Sequence, residues 1–306
     1  MSTFNPRGPY PVLLIQGEAG CAKSTASRVL RRLVDPNKCP LRAEPREPRD
    51  LMIAATNSRC VVFDNISNLR IWLSDNLCRL ATGGGFAVRK NYSDDQEILF
   101  ESANPILLNG IDGVVSRGDL LDRCVVIYLP VIPDQNRKPE KQFWSDFEQA
   151  QARIFGALLN AVSVALRRFD KVKLNEAPRM ADFTKWVTAA EPALKWRAGS
   201  FLDSYKSNRK SANRMALDSS PIVEHLRKLV IRHKFIGTAS QLLLRLQNIA
   251  KDRAKDRYFP KYAKALSSHL RRIAPNLRAD DFEIEFDIKT PGGNSRKLIK
   301  IAYHIS

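Results

Sequence analysis

The stretch from Leu13 to Asp35, LLIQGEAGCAKSTASRVLRRLVD, constrains the fold of this chain more than any other. An apolar, β-type run enters a loop with two glycines, and a basic helical pattern follows. Gly17-Glu-Ala-Gly-Cys-Ala-Lys-Ser24 keeps the register of the phosphate-loop pattern GxxxxGK[ST], with Ala22 in the place of the second glycine. Backbone N–H groups of such a loop point inward, and the next helix adds its positive end, so phosphate oxygens bind there. Gly17, Glu18, Ala19, Gly20, Cys21, Ala22, Lys23, Ser24 and Thr25 are therefore the candidate nucleotide-binding residues. Lys23 would reach the β- and γ-phosphates of ATP, and Ser24 would hold Mg²⁺. Alanine is tolerable at position 22 if that residue has helical, negative φ.

The chain up to Pro130 alternates short apolar runs with helical patterns. Val12–Gln16, Cys60–Asp64, Pro105–Asn109 and Arg123–Leu129 read as strands of a buried parallel sheet. Ser24–Val34, Asp50–Asn57 and Asn68–Ala81 read as the helices between them, which makes the region α/β. The strand ending in Asp64-Asn65 suits a carboxylate that completes the Mg²⁺ shell. Asn65 stands where a second acid is usual; an amide orients water but takes no proton, so either the base sits elsewhere, with Asp75 and Glu101 the nearest candidates, or hydrolysis is slow. Asn109 ends another apolar strand and suits a sensor that orients water beside the γ-phosphate, with a turn-forming Asn as the alternative. Arg117, with Arg123 second, is placed to reach a neighbour's nucleotide as an arginine finger; a structural Arg–Asp pair is the alternative.

Val131–Lys141, with two prolines, reads as a linker. Lys141–Phe169, Met180–Leu194 and Phe201–Leu217 follow as helices, and the tryptophans of this region, Trp144, Trp186 and Trp196, suit a helical core, with base-stacking platforms as the alternative. Pro221–His233, Gln241–Ala250 behind a Thr-Ala-Ser cap, and a helix from Pro260 through Ile273 come next. Phe282–Ile288 and Lys297–Tyr303 flank a Thr-Pro-Gly-Gly-Asn-Ser turn. Three helices and a hairpin are the order of a winged helix.

Charge supplies the partner class. Among 306 residues, 50 Lys and Arg against 32 Asp and Glu give a net charge of +18, which favours a polyanion such as nucleic acid. Residues 221–306 hold 18 of the basic and 8 of the acidic residues. Lys261, Lys264, His269, Arg271 and Arg272 are the candidate duplex contacts on the third helix. Glu283, Glu285 and Asp287 share one strand face, expected to point away from DNA; a protein-docking role is the alternative for this section. No run approaches a membrane span, and the N-terminus lacks a signal-peptide core. The five cysteines form no ligand cluster, so they read as reduced thiols of a cytoplasmic protein, with no zinc.

Leu80-Ala-Thr-Gly-Gly-Gly-Phe-Ala-Val-Arg89-Lys90-Asn-Tyr92, Ile106–Asn109 and Arg123 before an apolar strand resemble the superfamily 3 helicase module of phage and mobile-element primase-helicases. Ala22 before Lys23, and Ser116-Arg117-Gly-Asp-Leu-Leu, are similar to the minichromosome-maintenance helicases. The resemblance covers Val12–Pro130. It implies an AAA+ ATPase core at residues 1–135, a helical lid at 136–218 and a winged-helix domain at 219–306. It further implies a hexameric ring that uses ATP and Mg²⁺ to unwind or translocate on DNA in the replication of a phage or mobile element. Thr82–Asp94 would be the pore hairpin, with Arg89 and Lys90 on phosphate and Phe86 and Tyr92 stacking on single-stranded DNA. A surface hairpin is the bland alternative. About eleven residues precede the first strand, without the primase or collar domain such proteins often carry, so a split gene, a truncation or one subunit of a two-protein machine with a separate primase or polymerase are the open alternatives. An initiator, helicase loader or regulatory switch without unwinding is the alternative function.

Overall fold

Five-residue apolar strands with no polar face need cover on both sides, and they find it in a parallel sheet. The computed structural model describes residues 8–89, 97–111, 118–176, 178–231, 233–289 and 297–304. The chain divides into two compact units, Met1–Arg209 and Lys210–Ser306. In chain order the first contains β1 (Val12–Gln16), α1 (Lys23–Val34), α2 (Pro48–Thr56), β2 (Val61–Ile66), α3 (Ile71–Thr82), β3 (Gly85–Arg89), β4 (Glu97–Glu101), β5 (Ile106–Gly110), α4 (Gly118–Leu121), β6 (Cys124–Tyr128), α5 (Glu140–Arg168) and α6 (Ala181–Ala190). The division falls inside α7 (Ser200–Asp218).

The main sheet is parallel, in the order β2-β5-β1-β6. Every residue of β5 is buried, which fits its central place. Arg42 forms a lone parallel bridge with Phe63 on the outer side of β2: its N–H donates to Val62 O, and its carbonyl accepts from Asp64 N. A single residue thus occupies the position of a fifth strand. At the other edge, the Asn208 side chain pairs with both polar groups of Val126, accepting from its N–H at 3.0 Å and donating to its carbonyl at 2.5 Å. That side chain satisfies backbone groups of an edge strand.

The far end of α1 is fastened by a buried charge. Arg31 pairs with Asp35 at 2.7 Å and donates to the Cys60 carbonyl, while Asp35 accepts from Cys60 N at 2.8 Å. A buried guanidinium is tolerated because it is paired and hydrogen-bonded. Burial of Cys60 beside this pair pushes its thiol up to about 11, so it behaves as a small apolar group.

The helices of this unit pack through Ala161 and Ala165 of α5 against Met180, Phe183, Trp186 and Val187. The buried Glu191 carboxylate accepts from Gly199 N and Phe201 N, at 3.0 and 2.9 Å, and so caps α7. Of the three tryptophans expected in a helical core, Trp186 is buried there. Trp144 instead lies under the Arg32 guanidinium of α1, at 4.3 Å, and Trp196 is exposed. Its position beyond the last turn after α6 leaves it no facing helix surface within that cluster.

The second unit runs α8 (Val223–Val230), β7 (Phe235–Gly237), α9 (Ala239–Ala250), α10 (Ala263–Arg278), β8 (Phe282–Lys289) and β9 (Lys297–Tyr303). Thr238 caps α9, accepting from Gln241 N in a capping box. The sheet is antiparallel, in the order β7-β9-β8. The sequence pattern anticipates β8 and β9 but not β7, since three residues are too few to show alternation. Leu226, Leu242, Leu246, Leu266, Leu270 and Ile301 share one core.

Candidate functional site

The loop expected to hold phosphate joins β1 to α1 at the carboxyl ends of the parallel strands. Gly17 has φ +151, and a β-carbon there would lie 2.5 Å from Leu129 O and 2.7 Å from Cys21 Sγ, so only glycine fits. Gly20 has φ +82. Ala22 has φ 60 and ψ 31, in the left-handed region. The expectation of helical, negative φ there is thus wrong: Ala22 precedes the helix as its N-cap and carries the positive φ that glycine carries cheaply. Lys23 folds over the loop, and its Nζ donates to the Gly17 and Glu18 carbonyls at 2.7 Å each. No acidic residue stands in the first turn of α1, whose leading N–H groups lack intrahelical partners.

Ser24 Oγ donates to Asp64 Oδ1 at 2.8 Å. Two oxygens forty residues apart in sequence thus meet at the loop. Asp64 reaches it because β2 bulges between Phe63 and Ile66. Asn65 takes the irregular position, with φ 58. Asparagine tolerates this conformation better than glutamate, which gives a physical reason for an amide in place of the second acid. The Asn65 N–H donates to Asn109 Oδ1 at 3.0 Å. Asn109 Nδ2 donates to Ser27 Oγ at 2.7 Å, and Ser27 Oγ donates to the Lys23 carbonyl at 2.9 Å. The Asn109 side chain is 1% exposed, so it is a bracket between β2, β5 and α1 rather than a turn residue.

Arg123 Nη1 donates to the Asp119 carbonyl at 2.5 Å and so closes α4. This bond goes to a backbone oxygen and is not a charge pair, and Asp122 pairs outside the segment, with Arg179 and Arg209. Arg117, Lys90 and Tyr92 lie outside the described residues. The hairpin itself is longer than expected: β3 pairs antiparallel with β4, Arg89 opposite Glu97 and Gly85 opposite Glu101. Asp75 lies on α3 and Glu101 at the end of β4.

Arg137 lies in the stretch that the sequence pattern marks only as a linker. Its Nη2 would sit 3.4 Å from a β-carbon on Gly20, so the guanidinium hangs over the loop. It is held by Asp134 at 3.1 Å and by the Ile132 carbonyl. Two prolines and mixed charges hid it, because nothing local signals a cation that returns to a loop more than a hundred residues upstream.

In the second unit, Leu266, Leu270, Ile273 and Leu277 bury one side of α10 and leave Lys264, Ser268, Arg271 and Arg272 on the other. Lys261 Nζ donates to the Ala254 and Asp256 carbonyls, at 2.8 and 2.7 Å. His269 does not act as a cation. Burial, and then the Arg272 charge, hold it down at about 4, and its Nε2 lies 2.8 Å from Ser220 Oγ. Asp287 does not point away with Glu283 and Glu285. A bulge with φ 58 turns it toward α10, where it pairs with Arg271 at 2.7 Å. Glu283 and Glu285 are both paired with Lys300.

Among the described residues no group of three or more His, Cys, Asp or Glu is arranged to hold a metal, and no helix is long and apolar enough to cross a membrane. The described residues therefore define a mixed α/β protein whose first unit carries a glycine–lysine–serine loop on a parallel sheet and whose second unit is basic with an antiparallel sheet.

Family comparison narrows this. Residues 1–213 match the model of the actinomycete integrative conjugative element replication protein, and residues 220–305 match the RepA C-terminal domain of the same elements. The chain belongs to this family of mobile-element replication proteins. No curated protein matches in sequence. A solved structure titled "The A form apo structure of NrS-1 C terminal region-CTR" is similar over 97% of this chain and 68% of its own, at 12% identity and a TM-score of 0.39. A likeness that loose carries nothing further about fold or function.

Proposed function

We propose that this replication protein is an ATP-driven DNA helicase or translocase with an AAA+ core and a winged-helix C-terminal unit, working as a ring, most simply a hexamer. The observation that carries this reading is the meeting of Ser24 and Asp64 at 2.8 Å under a loop closed by Lys23. It is supported by β5, with Asn109, lying between β1 and β2. Gly20 leaves room for phosphates, Lys23 and Arg137 supply cations, and Ser24 and Asp64 are an oxygen pair suited to Mg²⁺. Bound Mg²⁺ neutralises charge developing on the transferred phosphoryl group. Arg117 is proposed as the finger in trans. Arg89 and Lys90 would grip single-stranded DNA, while Lys264, Arg271 and Arg272 would meet duplex phosphates. The order helix–strand–helix–helix–strand–strand, with α10 amphipathic and basic, supports the winged-helix reading.

The test is strand displacement with ATP by the wild type and by Lys23→Ala. Displacement by the wild type alone supports the reading. Equal ATPase activity in both proteins would reject the phosphate cradle. Mixed rings of Arg117→Ala and Lys23→Ala subunits should regain some turnover. A second reading, an ATP-dependent initiator, loader or switch that does not unwind, is favoured by Asn65, whose backbone conformation suits an amide and supplies no base. ATP-stimulated duplex binding without displacement would select it.

A further inference from the structure

We infer that the segment between α9 and α10 is a stacking platform for unpaired bases, separate from the phosphate contacts on α10. The inference takes its ligand class from the reading of this chain as a DNA-binding replication protein.

Tyr258 and Tyr262 are 65% and 75% exposed. They flank Phe259, which is 2% exposed and belongs to the core of the second unit. The segment thus alternates from an outward ring to a buried anchor and back to an outward ring. Its backbone is pinned three times: Tyr258 N donates to Asp256 Oδ1 at 2.8 Å, Phe259 N donates to Asp256 O at 3.2 Å, and Lys261 Nζ bridges the Ala254 and Asp256 carbonyls. Arg257 lies over one face of the Tyr258 ring at 4.5 Å and donates to its hydroxyl, which places a cation against the ring. Both acids of the segment are engaged locally, Asp252 by Lys255 and Asp256 by the Tyr258 N–H.

Rings held outward by a buried neighbour lose little freedom on binding, so more of the stacking energy remains as affinity. A cationic surround suits a phosphate chain better than an apolar protein partner. Bases inside a duplex already stack on each other and offer no faces, whereas unpaired bases offer one each. The platform therefore suits single-stranded DNA beside a duplex held by α10, the geometry of a melted junction.

The test measures anisotropy of a labelled oligothymidylate of about 12 nucleotides, within the site sizes usual for such surfaces, and of a labelled blunt duplex. The full chain is used without nucleotide. The proteins are wild type, the Tyr258→Ala/Tyr262→Ala pair and the Tyr258→Phe/Tyr262→Phe pair. The alanine pair should bind the single strand at least about tenfold more weakly, as loss of one or two stacked bases requires. Its duplex affinity should stay within about twofold, and the phenylalanine pair should match wild type on both. Unchanged single-strand affinity in the alanine pair overturns the platform, as does an equal loss on both ligands. A phenylalanine pair as weak as the alanine pair would assign the effect to the hydroxyls and likewise overturn it. If wild type binds duplex but no single strand, the platform falls alone. If it binds neither, the DNA-binding reading of the unit falls with it.

Discussion

Ser24 Oγ and Asp64 Oδ1 stand 2.8 Å apart, joining the first turn of α1 to the bulged end of β2. If this pair holds Mg²⁺, Asp64→Asn should lower Mg²⁺-dependent ATP turnover by at least roughly 10- to 100-fold, the loss typical for even an outer-shell partner. Ser24→Ala should act in the same direction. Both variants should melt within a few degrees of wild type, since one partly buried hydrogen bond contributes about 1 kcal/mol. Full turnover in Asp64→Asn would remove it from the metal site.

Ala22 carries a positive φ that costs an L-residue about 1–2 kcal/mol. Ala22→Gly relieves that strain and adds some freedom to the unfolded chain. The expected net effect is a stabilisation of about 0.5–1 kcal/mol, read as a rise in urea midpoint with unchanged slope. A lower midpoint would mean that the alanine methyl makes a contact worth more than the strain.

Arg137 hangs over Gly20. Arg137→Ala should weaken nucleotide binding roughly 3- to 10-fold, measured by titration calorimetry, because one charge-assisted contact is lost. Arg137→Lys should recover part of it. Stability should hardly move, since the Asp134 pair is exposed. Unaltered affinity in Arg137→Ala would leave the residue a linker clasp.

His269 titrates at about 4 in the fold against an ordinary 6.5. Between these values the unfolded chain binds a proton that the folded chain refuses. Stability contributed by neutral His269 is therefore complete above about pH 6.5 and is lost as pH falls toward 4. His225, held low by burial, acts with the same sign. Denaturation of His269→Gln should depend less on pH across this window than that of wild type. An identical pH dependence in the two proteins would show that His269 is not the group responsible.

Each strand of the main sheet is legible in the sequence as an apolar run, and the longer helices as a period near 3.6, because those signals depend on neighbours up to four residues away; α4, at four residues, is too short to show one. The loop glycines and Lys23-Ser24 are legible for the same reason. Tertiary structure alone inserted β5 between β1 and β2, because strand order depends on pairing between distant segments. It alone brought Asp64 to Ser24 across forty residues, engaged both ends of the Asn109 amide, and returned Arg137 to Gly20. It also overturned two local readings. Ala22 is not helical, because the turn into α1 must close before the helix begins. Asp287 does not follow the strand face of Glu283 and Glu285, because one bulged residue reverses the alternation that a period of two requires.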